Sequence, residues 1–329
     1  MKPTQGSKSA LISMVLALLF LNPNWSAAQT TFGRIVVFGT SLSDPGNAFA
    51  LKGIQHTPPY DMLDPLLLTP RGSPYAKGGH HFSNGATWIE QFSRSLGLAG
   101  DTRAAFQSSS AKATNYAVGA AAAREGTEDV SLYTEVNAFL QAFGGSAPSD
   151  GLYVIEMGSN DVRDAFTEYA AGRDGGSILQ AALTAIGNNM ATLYAAGARR
   201  FLVWNVPDIG LTPALRTLDK MVPGAAVLGT LVTSGFNTNL DLVIASLAPL
   251  PGIEIEKLDV FQLLHNVVAD PPAFGLSVVD RACVMPNTPP FECKEPDDYL
   301  FWDGIHPTKT MHSIVAQRVA AELAQTKNP

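Results

Sequence analysis

The stretch Arg34-Ile-Val-Val-Phe38-Gly39-Thr40-Ser41-Leu42-Ser43-Asp44-Pro45-Gly46-Asn47 decides how the chain is read. Residues 34–38 form a short apolar run with the look of a buried strand. The run stops at Gly39, crosses two hydroxyl residues and enters Asp44-Pro45-Gly46, a polar helix start. In open α/β sheets such junctions lie at the carboxyl ends of strands, where ligands bind. Ser41 stands at that end and is the candidate nucleophile. Ser43 is expected to cap the next helix, because Pro45 suits a first helical turn.

Working outward, strand-like runs at 114–118, 152–157, 200–206 and 253–258 alternate with helical runs. The helices are expected at 44–52, 87–96, 129–143, 177–196, 225–248 and 308–324. Tyr133, Val136, Leu140 and Phe143 share one face of the third. Ser177 and Gln180 form a capping box for the fourth, and Gly197 ends it. Alternation of this kind builds a parallel sheet covered by helices on both faces. No repeat, charged block or low-complexity linker divides the chain, so residues 29–329 are expected to form one domain. Residues 53–79 carry five prolines together with Leu66-Leu67-Leu68. That segment is either a packed surface excursion or part of a substrate pocket.

The chain has 329 residues, 46% hydrophobic and 16% charged, which suits a globular protein with a large core. Its net charge of −7 comes with no long Lys or Arg run, which argues against nucleic-acid binding. Lys2 and Lys8 precede an apolar run at 10–21, and Ser26-Ala27-Ala28 follows. This is the pattern of a secretory signal peptide over residues 1–28, cleaved after Ala28. The run is too short for a membrane span. A secreted or periplasmic protein starting at Gln29 is expected, with no stable membrane span after cleavage. Cys283 and Cys293 are then an isolated close pair that reads as a disulfide. A metal site would need further ligands at nearby spacing, and none is present.

Two more polar motifs carry chemistry. Gly158-Ser159-Asn160-Asp161 follows a strand. If Asp161 caps the next helix, Asn160 is left free, and an amide N–H at a strand end suits an oxyanion. Phe301-Trp302-Asp303-Gly304-Ile305-His306-Pro307-Thr308 precedes the last helix. Asp303 can hydrogen-bond His306 through a tight loop and hold its tautomer. The other five histidines, His56, His80, His81, His265 and His312, have no comparable carboxylate beside them.

Together these motifs resemble the GDSL, or SGNH, family of serine esterases and lipases, over nearly the whole chain after residue 28. The blocks are 39–47, Asn115-Tyr116-Ala117-Val118-Gly119-Ala120, 158–161 and 303–307. Phe82-Ser83-Asn84-Gly85 and Phe301-Trp302-Asp303 resemble the secreted lipase and lysophospholipase-like branch. The resemblance implies a flavodoxin-like α/β/α sandwich with a central parallel sheet. It implies a Ser41–His306–Asp303 triad and an oxyanion hole of the Ser41 N–H, a second-block N–H from Gly119 or Ala120, and Asn160. No metal or organic cofactor is implied, and the partner is a small-molecule or lipid ester. Two positions depart from the pattern. Thr40 stands where the family has Asp, and Ala120 where it has an oxyanion glycine. A carbohydrate O-deacetylase, a lipid acyltransferase and a catalytically silent surface-binding protein would share the fold. The presence of all three triad residue types argues against the last.

Overall fold

The computed structural model describes residues 32–107 and 112–325. The expected signal peptide and its cleavage point after Ala28 lie outside the described residues. The elements, in chain order, begin with β1 (Arg34–Gly39), α1 (Asn47–Lys52), α2 (Trp88–Ser95), α3 (Leu132–Ala142) and β2 (Gly151–Glu156). They continue with α4 (Ser159–Ala170), α5 (Gly176–Ala196), β3 (Arg200–Trp204), α6 (Pro213–Asp219) and α7 (Ala225–Leu247). The last are β4 (Glu254–Leu258), α8 (Val260–Ala269), β5 (Val278–Ala282), β6 (Tyr299–Phe301) and α9 (Lys309–Gln325).

Strands β1 to β4 make a parallel sheet in the order β1-β2-β3-β4. Side chains alternate across it, as the two-residue period of a strand requires. Val36, Phe38, Tyr153, Ile155, Phe201 and Val203 pack with α3, α4, α5 and α7. Ile35, Val37, Leu152, Val154, Leu202 and Trp204 pack with α2, α8 and α9 on the other face. The molecule is therefore an α/β/α sandwich, with both sheet faces buried.

The segment 114–118 lies along the free side of β1. Val37 N–H donates to Thr114 O at 2.9 Å, and Tyr116 N–H donates to Val37 O at 2.8 Å. Counted as the second strand, it gives the flavodoxin-like order, with the switch point beside β1. It is not a regular strand, however. On its outer side, among the described residues, only Ala104 bridges to it, and Asn115 O also accepts from the Asn47 amide.

Three local expectations are corrected. Ser43 does not cap α1; its hydroxyl accepts from Trp88 Nε1, and Asp44 takes the Gly46, Asn47 and Ala48 N–H groups. The Ser177 capping box is absent, because Asp174 accepts from Gly176 N and Ser177 N and the helix starts earlier. On α3 the buried stripe is Leu132, Glu135, Val136 and Phe139, while Tyr133 is exposed. No helix of the described residues is long and apolar enough to cross a membrane.

Candidate active site

β1 and β2 are paired in register up to Gly39 and Glu156, so their carboxyl ends release two loops side by side. One carries Ser41 and the other leads into α4 at Ser159. The 303–308 turn, between β6 and α9, brings in the third group. His306 Nε2 lies 2.8 Å from Ser41 Oγ, and His306 Nδ1 lies 2.8 Å from Asp303 Oδ2. With Nδ1–H donated to the carboxylate, Nε2 is the acceptor facing the Ser41 hydroxyl. Asp303 is fully buried, and its Oδ1 accepts from Ile305 N at 2.8 Å and His306 N at 2.7 Å. Gly304 is required in this turn, since a Cβ there would meet Leu67 O at 1.7 Å.

The imidazole is braced from outside. Phe82 packs on the His306 ring with centroids 5.3 Å apart. Ser83 Oγ donates to Pro307 O at 2.8 Å, and Lys309 N donates to Asn84 Oδ1 at 2.7 Å. These contacts give the 82–85 block its physical role. Gly119 lies under the same Phe82 ring, and a Cβ at 119 would come within 2.1 Å of it.

The Ser41 loop hangs from three fully buried carboxylates. Asp44 Oδ2 accepts from Gly119 N at 2.8 Å. Glu135 accepts from Gly39 N at 2.8 Å and from Val118 N at 3.2 Å. Glu156 accepts from Thr40 N and from Thr40 Oγ1, both at 2.9 Å. Burial is the main cause of their raised pKa values: about 6 for Asp44, about 7 for Glu156, and well above the usual range for Glu135. The Thr40 departure now has a reason. An aspartate at 40 would face Glu156 with a second buried carboxylate.

The oxyanion candidates separate. Gly119 N–H is committed to Asp44, so it drops out as a donor. Ala120 has φ 71°, the left-handed conformation usually left to glycine. Among the described residues, neither Ser41 N–H nor Ala120 N–H is engaged by another protein group. Asn160 Nδ2 donates to Ala121 O at 2.8 Å, and its Oδ1 accepts from Arg163 Nη1 at 2.9 Å. That fixes the amide and leaves one N–H over. Asp161 does not cap α4; it accepts from Ala123 N and pairs with Arg124.

Ser41, Asn160 and His306 border a cavity of about 120 Å³ whose apolar wall includes Leu42, Trp204, Ile209, Leu264, Phe301 and Val315. Among the described residues none from 53–79 borders it. The Pro-rich segment instead packs against the turn, where Gly304 N donates to Leu68 O and Tyr75 OH donates to Asp303 Oδ2 at 2.7 Å. Two histidines have carboxylates that their sequence neighbours do not reveal: His81 with Glu90 at 2.8 Å, and His265 with Asp208 at 2.9 Å. Cys283 and Cys293 are disulfide-bonded, close behind Trp302. Among the described residues no group of three His, Cys, Asp or Glu side chains is arranged to hold a metal.

The model of the GDSL-like lipase/acylhydrolase family matches residues 35–319. The chain belongs to that family. Lipases and acylhydrolases, the proteins that the family is named for, cleave acyl esters. One GDSL esterase/lipase of Arabidopsis thaliana is 26% identical over 52% of the chain and 49% of its own length. The chain thus spans about half the length of that relative. Another from the same plant is 25% identical over 97% of the chain and 92% of its own length. Among solved structures, an extracellular lipase from Streptomyces rimosus aligns with 88% of the chain and 99% of its own, at 14% identity and a TM-score of 0.39.

Proposed function

We propose that this GDSL hydrolase is a secreted, single-domain serine esterase acting on short to medium acyl esters. The observation that carries the reading is the unbroken line from Ser41 Oγ to His306 Nε2 to Asp303, 2.8 Å at each step. His306 takes the Ser41 proton as the hydroxyl attacks the ester carbonyl. The oxyanion is met by Ser41 N–H, Ala120 N–H and the spare N–H of Asn160. His306 then protonates the leaving alcohol, and water repeats the attack on the acyl-enzyme. Secretion is supported by the 1–28 pattern and by the Cys283–Cys293 bond, which persists in oxidising compartments.

The acyl group fits the apolar cavity beside Ser41. A cavity of about 150 Å³ holds a benzene, so about 120 Å³ suits roughly five carbon atoms. A p-nitrophenyl ester series from acetyl to palmitoyl on the mature protein tests this. Turnover is expected to peak between about four and eight carbons, to fall at palmitoyl, and to vanish in Ser41→Ala. Full activity in Ser41→Ala ends the triad reading. A peak at palmitoyl ends only the reading of the cavity.

A further inference from the structure

We propose that Tyr75 is a positioning residue for the reaction: its hydroxyl holds Asp303 in the orientation that aims His306, and so sets the acid limit of activity. This rests on the Ser41–His306–Asp303 reading and assigns a role to the Pro-rich 53–79 segment, which that reading leaves unused.

Asp303 accepts four hydrogen bonds while fully buried. Two come from its own turn, onto Oδ1. The other two converge on Oδ2: His306 Nδ1 at 2.8 Å and Tyr75 OH at 2.7 Å, the latter from 228 residues away. A buried carboxylate stays ionised only while donors surround it. Tyr75 is suited to that task. Burial first, then the charge of Asp303, raises its pKa well above the usual range, so it remains a donor. Its place is fixed by Tyr75 N donating to His81 O at 2.9 Å, and across the strand-like bridge by His56 N donating to Pro74 O and Ala76 N donating to His56 O. Its ring meets Trp302 and Tyr60 edge-on, each at 5.7 Å.

The titratable groups around this centre come from several elements. His56 lies 5.5 Å from the Tyr75 ring, with Asp61 acting on it at longer range. Tyr60 donates to Glu292, which also pairs with Lys77, itself over the Trp302 ring. His312 lies beyond His306. Burial lowers the pKa of both His56 and His312, which works against a cation at either place near Asp303. A change at Tyr75 is therefore read by the Asp303–His306 pair.

Tyr75→Phe removes the hydroxyl and keeps the ring with its contacts; a melting curve checks the fold. Relieved of one donor, Asp303 holds an imidazolium more tightly. The acid limb of the kcat/KM profile on p-nitrophenyl butyrate is expected to move up by about half to one pH unit. With it, kcat should fall about tenfold and KM stay within about twofold. In an Asp303→Asn background, followed by fluorophosphonate labelling, the further loss from Tyr75→Phe should shrink to less than about twofold. Superimposable profiles, a lowered Tm with no shift of the limb, or an equal loss in both backgrounds would overturn the proposal. An inactive Ser41→Ala beside an unaltered Tyr75→Phe would leave the triad standing and end this proposal alone.

Discussion

At position 120 a methyl group occupies a conformation that glycine takes more easily. With φ 71°, Ala120 carries a cost of about 1 kcal/mol relative to the right-handed region. In the proposed mechanism its N–H points at the oxyanion, so the strain has a use. Ala120→Gly should keep turnover within about twofold and leave Tm nearly unchanged, because relief of strain and the larger unfolded entropy of glycine offset each other. Ala120→Pro lacks the N–H and demands φ near −65°, so turnover should drop by at least about a hundredfold. Ester kinetics on both variants check this, and a folded Ala120→Pro with normal turnover would remove Ala120 from the oxyanion hole.

At the scale of elements, sequence patterns worked where the signal is local. Short apolar runs closed by Gly or Pro marked β1, β2 and β3 to within two residues, because a strand buried on both faces needs only apolar side chains, whereas β4 is a half-exposed edge strand, Glu254-Ile-Glu-Lys-Leu258, announced by Pro249 and Pro251 before it. Segment 114–118 reads as a strand too, but it meets β1 only through an isolated bridge from Val37 to Asn115, and its Asn115 also bridges Ala104, so among the described residues it forms no regular strand. Helix α4 was hidden because it starts inside the Gly158–Asp161 motif, whose residues read as loop formers. Helix α8 follows β4 after one residue, with no Gly or Pro to announce it. The site divides in the same way. Ser41, Asn160, Asp303 and His306 each stand in a short motif, and the fold brings them together. Glu135, Glu156 and Tyr75 act on the site across 96, 116 and 228 residues, and no local pattern marks such a contact.

The whole molecule keeps Asp44, Glu135 and Glu156 at its centre, where burial raises all three. Glu156 rises from 4.5 to about 7, so between those values the folded protein holds a proton that the unfolded chain has released. Stability therefore falls as pH rises through that window, by about 1.4 kcal/mol per unit for this group. His312, lowered from 6.5 to about 3, acts in the opposite sense, destabilising the fold as pH falls below 6.5. Glu156→Gln isolates the first effect. By urea unfolding it should be more stable than the parent at pH 8 by roughly 1–3 kcal/mol, and equal to it near pH 4. A difference that ignores pH would mean that Glu156 is ionised throughout. The same centre suspends the loop that aims Ser41 at His306, and on that convergence the whole reading stands. Intact-mass analysis after treatment with a fluorophosphonate tests it most directly. One adduct per chain, mapped to Ser41 and absent from Ser41→Ala, is the predicted result; an unlabelled protein, or an adduct on any other residue, would contradict the account.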